Sequence, residues 1–394
     1  MKSCKKICMS KKALQAGQAC CQVQTFDDTK NLSHQHLSSF NPLAKRDDDE
    51  SKVRLQMISS RSRIAFPALS VIGALLLGAL FITLSGHDPV AAYTVLFIEA
   101  FGSVSGITDT LVKAAPLLLA GVGLVVAYKS SIWTIGAEGQ LLMGALASVW
   151  LGLTLTDVPG YLLIPLIMVA SFLAGAGLAM IAGVLKAKIG VNEIITTLML
   201  NNIAYYFILY LVSGPMKTPE VGYNQTRIIS PQAFLPILIA DTRLHAGVLL
   251  AIVAAVFIYV LVERTSLGYK IKAVGYSPKA ARYAGIGIPQ NILIVMFVSG
   301  GLAGLAGMGE VLGVHHLLMV DISPGYGYTA ILVALLARLN PIATIASAFL
   351  FAGLLNGSVA MQRGAGVPSS LVQIIQALVV IFVLASEYMT REKR

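Results

Sequence analysis

The sequence predicts an all-α polytopic membrane protein with about ten transmembrane helices and both termini in the cytoplasm. Of its 394 residues, 56% are hydrophobic and only 12% are charged, and the mean hydropathy is +0.76. A soluble domain of this length could not bury so much apolar surface. Apolar segments of roughly 20 residues recur, which is the length that an α-helix needs to cross a bilayer. The sequence lacks the alternating strands of about ten residues that are typical of a membrane β-barrel.

Residues 1–63 differ in composition from the apolar body. They carry 12 basic and 6 acidic residues and contain all four cysteines of the chain. They are polar and contain few large apolar residues, which predicts a disordered cytoplasmic tail. They also lack the apolar core of a signal peptide. The spacing of the cysteines and nearby histidines fits no metal motif well. Met57 begins a plausible membrane-protein sequence, so translation starting there is an alternative, which an intact-mass measurement would test.

Ten apolar segments define a transmembrane body at residues 64–387, which a basic C-terminal segment at residues 388–394 follows. They lie at residues 64–85, 111–128, 132–155, 161–185, 194–212, 246–262, 292–312, 328–337, 342–361 and 371–385. The segment beginning near Tyr328 is short, so it starts earlier, is tilted or is partly re-entrant.

Basic residues orient these segments. With the N-terminus in the cytoplasm, inner connections receive most of the basic residues of the body, and outer connections receive most of its acidic residues. This positive-inside bias supports the assignment. Two outer segments are long, at residues 87–109 and 213–245, and the second is Pro-rich and predicts a structured external loop.

One acidic residue lies among glycines near the start of a span. Residues 133–140 read WTIGAEGQ, so Gly136 and Gly139 flank Glu138. A carboxylate in hydrocarbon is costly, and Glu138 should therefore face a cavity or a polar partner. The glycines allow a close backbone approach or a break in the helix. We interpret Glu138 as a buried, hydrogen-bonded hinge near the cytoplasmic face, with direct substrate contact as the alternative.

A second polar stretch lies at residues 190–202. Asn192 is placed to cap a helix, and Glu193 then lies in its first turn, where the helix dipole favours an acid. Thr197, Asn201 and Asn202 lie deeper in the same span, where amides join helices or bind a polar solute. Weaker candidates lie near the outer halves of their spans: Glu310, Asn356 and Gln362.

The connection at residues 263–289 is the longest polar interruption between two strongly apolar segments. It carries five basic residues against one acid, Glu263. Within it, residues 277–284 predict a short helix, because Ser277 suits the N-cap, Pro278 suits the first turn and Gly285 ends it. A short basic helix on the cytoplasmic side is well placed to contact a soluble partner. A solvated loop that obeys the positive-inside rule is the alternative.

Glycine pairs predict close helix packing, and enzyme motifs are missing. Gly300/Gly304 and Gly353/Gly357 have the small-xxx-small spacing that lets helix backbones approach each other. The sequence contains no G-x-x-x-x-G-K-[ST] and no H-E-x-x-H motif, and it offers no context for a Ser-His-Asp triad. Nothing in it indicates an enzyme.

Three of these motifs resemble the permeases of ABC importers of the ribose and nucleoside type. Residues 273–286 are similar to the cytoplasmic loop that holds the coupling helix, with Ser277 where Asn is usual and Lys279 where an acid is frequent. Residues 133–145 resemble the W-N-I-G-A-E-G-Q stretch of the nucleoside branch, with Thr134 in place of Asn. Residues 190–202 also resemble this family.

The resemblance implies a permease subunit that forms the translocation pathway for nucleosides in the inner membrane of a bacterium. The implied partners are a cytoplasmic ATPase, a second and usually different permease chain, and an extracytoplasmic binding protein or lipoprotein. ATP is then bound by the ATPase, and this chain needs no cofactor, metal or nucleic acid. The implied coupling residues are Gly275, Pro278, Ala280, Ala281, Arg282 and Gly285. The implied pathway or hinge residues are Gly136, Glu138, Gln140, Asn192, Glu193, Thr197, Asn201 and Asn202.

Three rival interpretations remain open from the sequence, and one of them, a channel or a non-transporting membrane scaffold, has no specific feature in its favour. The first keeps the same machine with ribose or another simple sugar as cargo. The second is an ion-coupled secondary transporter that uses Glu138, Glu193 and Glu310 as coupling acids.

Overall fold

The computed structural model describes residues 73–219 and 222–391, all of which belong to the compact unit Arg63–Arg394. The predicted tail and the start of the first predicted span lie outside these residues. The described part forms α-helices with one 3-10 turn and one π-helix. The helices are α1 Gly73–Leu84, α2 Pro89–Phe101, α3 Val104–Lys129, α4 Ala137–Thr154, α5 Gly160–Ile189, α6 Glu193–Ser213, α7 Gly247–Arg264, α8 Ser266–Tyr276, α9 Pro278–Tyr283, α10 Ile288–Glu310, α11 Tyr326–Leu336, α12 Ala343–Ala365 and α13 Ser369–Arg391, with the 3-10 turn at Pro231–Ala233 and the π-helix at Val311–His315.

Six of the described helices are long and apolar enough to cross a membrane. They are α3, α5, α6, α7, α12 and α10 together with its π-helical extension. Shorter apolar helices are α1, α2, α11 and the stretch Gln373–Phe382 within α13. The predicted all-α membrane architecture is confirmed, whereas the count of ten spans and the side on which each terminus lies stay predictions.

The outer segment at residues 87–109 is helical where the sequence analysis expected a connection. α2 occupies Pro89–Phe101, and α3 begins at Val104. Asp88 caps α2, because its carboxylate accepts a hydrogen bond from the Val90 amide at 2.9 Å, and Pro89 suits the first turn. The prediction missed α2 because 13 residues are too few for a span, so the hydropathy pattern does not separate such a helix from a loop.

Glycines bring three helices into backbone contact at the centre of the body. A Cβ atom added at Gly304 of α10 would overlap the carbonyl oxygen of Ser171 in α5, and one added at Gly144 of α4 would overlap the Gly304 carbonyl oxygen. Gly300 packs equally closely against α5. α3 lies beside this junction and is almost completely buried. The close packing predicted for the Gly300/Gly304 pair is therefore confirmed.

The connection between α6 and α7, which the sequence analysis predicts to be external, is hydrogen bonded to the π-helix that follows α10 and to the stretch after it. The amides of Thr226, Ile229 and Leu235 donate to carbonyl oxygens of the π-helix and its exit, at 3.0, 2.9 and 3.0 Å. The end of a helix leaves carbonyl groups without intrahelical donors, and the loop supplies these donors. The loop is structured as predicted, apart from residues 220 and 221, which the structure does not describe.

This loop ends at His245, a buried histidine whose protonation should make the stability of the protein depend on pH. Burial, and secondly the proximity of His316, lowers the pKa of the His245 imidazole from 6.5 to about 4. Its Nδ1 accepts a hydrogen bond from the Gly247 amide at 3.1 Å, which favours the neutral ring. As the pH falls, the unfolded chain binds a proton at this imidazole before the folded protein does. The contribution of the neutral His245 ring to the free energy of unfolding is therefore complete above about pH 6.5 and is lost as the pH falls towards 4.

We expect the thermal denaturation midpoint in detergent to fall more steeply between pH 7 and pH 5 for the wild type than for His245→Asn. The asparagine retains an acceptor for the Gly247 amide but has no proton to bind in this range. The full difference between the two proteins amounts to about 3 kcal/mol at pH 4. Equal slopes for both proteins would show that His245 does not govern the acid sensitivity.

Candidate functional site

The α3–α4 connector, residues 130–136, is a non-helical segment that is mostly buried in the helical body, although Ser131 and Trp133 are exposed. Tyr128 donates from its hydroxyl to the Thr134 carbonyl oxygen at 2.9 Å, and the Thr134 hydroxyl accepts from the Gly136 amide at 3.2 Å. The Thr197 hydroxyl of α6 accepts from the Ile135 amide at 3.2 Å. Buried non-helical backbone needs other groups to satisfy its polar atoms, and here side chains of α3, α6 and the connector itself do so.

Asn201 joins this connector to the first turn of α4. Its Nδ2 donates to the Ile135 carbonyl oxygen at 2.8 Å, and its Oδ1 accepts from the Gly139 amide at 3.0 Å. The first amides of a helix have no intrahelical acceptor, so Asn201 supplies one. A Cβ at Gly139 would lie 2.8 Å from the Asn201 Oδ1 atom, which explains the glycine. Asn201 follows the start of α6 by eight residues, so α4 begins roughly 12 Å along that helix.

Glu138 links the start of α4 to the start of α11. Its Oε2 atom accepts from the Gly327 amide at 2.7 Å, and Ser323 and the Tyr328 amide also hydrogen bond to the carboxylate. The carboxylate therefore occupies the amide-rich N-terminus of α11, where negative charge is stabilised. Gly327 allows this contact, because a Cβ there would overlap the Glu138 backbone. Glu138 is 9% exposed and has the polar partners that the sequence analysis required of it.

A cleft of about 310 Å³, which we call the central cleft, opens beside these two helix starts. Within the described part of the chain, its lining contains no lysine or arginine. Its polar and aromatic lining residues are Glu138, Asn201, Asn202, Tyr205, Tyr206, Asp321, Ser323 and Tyr328. Tyr206 is 63% exposed, and α6 is the most open of the long helices. The cleft thus offers aromatic faces, amides and carboxylates to an uncharged polar solute.

A second, larger pocket of about 570 Å³ lies between the C-terminal half of α2, the start of α3 and the C-terminal half of α12. It contains Glu99, Asp109 and Arg363, together with the weaker candidate Asn356. Asn356 accepts from Lys113 Nζ at 2.8 Å and donates to the Gly106 carbonyl oxygen at 3.3 Å. Asn356 is thus held by its own neighbours. We favour the central cleft as the functional site, because two helix starts and their capping groups converge there.

The other predicted residues of α4 and α6 have identifiable structural contacts. Asn192 caps α6 by accepting from the Ile194 amide at 2.9 Å, as predicted. Glu193 is buried and pairs with Lys186 of α5. Gln140 is buried, and its Oε1 atom has no hydrogen-bond partner among the described residues. Asn202 is exposed and lines the central cleft, although its amide donates to the Leu198 carbonyl oxygen.

The basic loop contains two helices, α8 and α9. Ser277 caps α9 by accepting from the Ala280 amide at 3.3 Å, and Gly285 follows with a φ of +78°. The predicted short helix is therefore confirmed. Ala281 is buried within the chain, and a Cβ on Gly275 would overlap the Lys129 carbonyl oxygen.

The remaining predicted coupling residues lie on the exposed face of this loop. Pro278, Ala280, Arg282 and Gly285 are exposed. Beside them, Tyr276 and Tyr283 are 90% and 95% exposed. These six residues form a protruding surface available to a partner.

Several residues of the central cleft were not predicted from the sequence. Tyr205 and Tyr206 follow the two asparagines by four residues, so helical periodicity could have placed them on the same face. Asp321 and Ser323 lie before α11, in a stretch whose return to the cleft no local pattern predicts. The suggestion that the span near Tyr328 is short and begins earlier agrees with α11, which has 11 residues and starts at Tyr326.

Comparisons with known proteins identify relatives of most of the chain. Residues 106–384 match the family model for the permease component of branched-chain amino acid transport systems. The chain is 39% identical to the glucose ABC transporter permease protein of Haloferax volcanii, over 82% of this chain and 88% of that protein. It is 34% identical to the guanosine ABC transporter permease protein of Bacillus subtilis, over 85% and 97%. It is 33% identical to the nucleoside ABC transporter permease protein of Lactococcus lactis, over 83% and 92%. No solved structure matches it.

Proposed function

This chain belongs to the family of permease components of branched-chain amino acid transport systems and is a permease subunit of an ABC transporter, and we propose that it carries nucleosides through the central cleft. The observation that carries the proposal is the lining of the cleft. Tyr205 and Tyr206 offer ring faces on which a base can stack, whereas Asn202 and Asp321 offer hydrogen-bonding groups for base edges and ribose hydroxyls.

The absence of lysine and arginine from the described lining bears on the class of solute. Binding a phosphate group in a partly enclosed site calls for cations or helix amides. The amides at the start of α11 already hydrogen bond to Glu138. A neutral nucleoside therefore fits the cleft better than a nucleotide does.

A simple sugar is the second candidate cargo, and one specific observation favours it. The relative from Haloferax volcanii is named a glucose permease, and it is 39% identical to this chain. Carboxylates, amides and tyrosines also bind sugar hydroxyls and sugar rings. The two cargoes differ in one requirement: a nucleoside needs an aromatic face wide enough to stack on its base, and a simple sugar does not.

We propose that the chain acts with three partners in the inner membrane of a bacterium. A cytoplasmic ATPase docks on the exposed residues of α8 and α9, a second permease chain completes the pathway, and an extracytoplasmic binding protein delivers the solute. The relatives support a heterodimer, because Bacillus subtilis and Lactococcus lactis each have a second similar permease protein that is named for the same cargo, guanosine and nucleoside respectively.

The cargo is tested by uptake of labelled nucleoside into cells that express the chain with its partners. We expect excess unlabelled nucleoside, but not glucose or ribose, to block uptake, and loss of the ATPase to abolish it. Tyr206→Ala should reduce nucleoside uptake about tenfold, because base stacking on an aromatic side chain contributes about 1–3 kcal/mol. Tyr206→Phe is the matched control and should retain most activity. Competition by glucose or ribose alone would move the assignment to sugars.

A further inference from the structure

The α3–α4 connector lies between the basic loop and the central cleft, and it is fastened at both ends. It runs from Ser130 to Gly136, directly after α3 and directly before the turn that carries Glu138. Non-helical chain spans at most about 3.3–3.6 Å per residue, so a connector this short cannot lengthen much when one end is pulled. Such a segment transmits a displacement instead of absorbing it.

The cytoplasmic end of the connector is bonded to the basic loop. The Ser131 hydroxyl donates to the Gly275 carbonyl oxygen at 2.9 Å, and Gly275 is in backbone contact with Lys129. Glu263, at the start of the loop, binds Lys129 and Lys272 at 2.8 and 2.9 Å, so it bridges α3 and α8. Ser131 adopts a left-handed backbone conformation with a φ of +57°. This conformation is costly for a residue other than glycine, and the surrounding contacts hold it in place.

A second, buried contact fixes the connector to α10. Asn291 donates from Nδ2 to the Ser130 hydroxyl at 2.8 Å, and both residues are less than 10% exposed. Asn291 lies in the first turns of α10, immediately after the basic loop. The start of the connector is therefore attached to α8, which lies within the basic loop, and to α10, which follows the loop.

The other end of the connector, next to α4, is hydrogen bonded to α6, which lines the central cleft. Thr197 and Asn201 of α6 hold Ile135, and Asn201 also holds Gly139 in the first turn of α4. Within that same turn, Glu138 holds the start of α11. A displacement of Ser131 thus reaches cleft-lining residues of α4, α6 and α11 through hydrogen-bonded backbone.

We propose that the α3–α4 connector transmits movement of the basic loop to the central cleft, with Ser131 as a positioning residue. This inference rests on the proposed function, because it assigns the route by which a docked ATPase would rearrange the cleft. The bond between Ser131 and Gly275 and the bridge through Glu263 carry the movement together, so either contact retains most of the coupling when the other is lost. Releasing both contacts should uncouple ATP hydrolysis from transport while the protein stays folded, since both lie at the surface of the chain.

The test is the number of ATP molecules hydrolysed per solute transported in proteoliposomes that contain the whole transporter. We compare the wild type with the double variant Ser131→Ala/Glu263→Gln, using labelled nucleoside and the binding protein. We expect the ratio to rise about tenfold in the double variant, with ATP hydrolysis and complex assembly retained. Ser131→Asn/Glu263→Gln should recover most of the coupling, because asparagine tolerates φ > 0 and its amide can donate to the Gly275 carbonyl oxygen.

Thr154→Ala is the control, because it removes an exposed hydroxyl at the opposite end of α4. A wild-type ratio in the double variant would overturn the connector as the transmission route. So would an equal rise in the asparagine double variant, because the loss would then not depend on the bond to Gly275. If the wild-type transporter shows no ATP-driven uptake, the proposed function fails instead, and this outcome is distinct from both. The single variant Ser131→Ala provides a milder test if the double variant does not assemble, with a rise of about threefold expected and an unchanged ratio counting against the route.

Discussion

Replacing Gly304 with alanine is expected to disrupt the helical body and abolish transport. The added Cβ would overlap the carbonyl oxygen of Ser171 in α5, and Gly144 of α4 occupies the other side of Gly304. Backbone atoms cannot rotate away as side chains do, so the three helices must separate. Overpacking of this kind costs about 1–3 kcal/mol or more. We expect the thermal midpoint in detergent to fall by about 5–10 °C, with little monodisperse protein recovered.

Gly309→Ala is the matched control on the same helix. Gly309 lies five residues beyond Gly304, and a Cβ added there has no atom within 4 Å. Since alanine also favours the helix by up to about 1 kcal/mol over glycine, this variant should be at least as stable as the wild type. Size-exclusion profiles after heating would compare the three proteins. Equal stability of Gly304→Ala and Gly309→Ala would mean that α4, α5 and α10 do not meet as closely as described.

Glu138→Ala is expected to lower uptake about 100-fold at equal membrane content. The carboxylate hydrogen bonds to Ser323 and to the amides of Gly327 and Tyr328, and so fixes the start of α11 against the start of α4. Hydrogen bonds to a charged group are each worth about 1.5–3 kcal/mol, and alanine would also leave the helix amides without an acceptor. Glu138→Gln retains one acceptor oxygen without the charge and should lower uptake less, by about tenfold.

The initial rate of uptake, divided by the amount of permease in the membrane, distinguishes this effect from a loss of protein. Asp157→Ala removes an exposed carboxylate from the connection between α4 and α5, and it should transport at the wild-type rate. If Glu138→Ala also retained the wild-type rate, the contact between α4 and α11 would not be needed for transport.

Local patterns in the sequence predicted features whose causes are local. Hydropathy identified the long helices, and the capping roles of Asn192 and Ser277 followed from residue type and position. The Gly300/Gly304 spacing indicated a packing face before any partner helix was known. Local patterns failed at α2, whose 13 residues are too short for a span, and at Asp321 and Ser323, which line the cleft from the stretch before α11.

The tertiary structure supplied the contacts of two predicted sets of residues. Gly275 was expected among the coupling residues, and it packs against Lys129 of its own chain. Thr197 and Asn201 were expected to line a pathway or join helices, and both hold the connector in place. Their identities as polar or small residues inside a membrane protein marked them as important. The partner that each contacts depended on segments far away in the chain.

The sequence was sufficient to predict an all-α membrane protein, a polar loop with a short helix and the residue types that a buried site requires, because bilayer length, helix capping and charge bias act on neighbouring residues. Three features followed from the folded chain alone: Glu138 caps a helix 189 residues away, Ser131 contacts Gly275, and α6 supplies two tyrosines to the same cleft. The physical reason is that such contacts arise when separate helices pack together. Their geometry is fixed by close backbone packing, which no local pattern encodes.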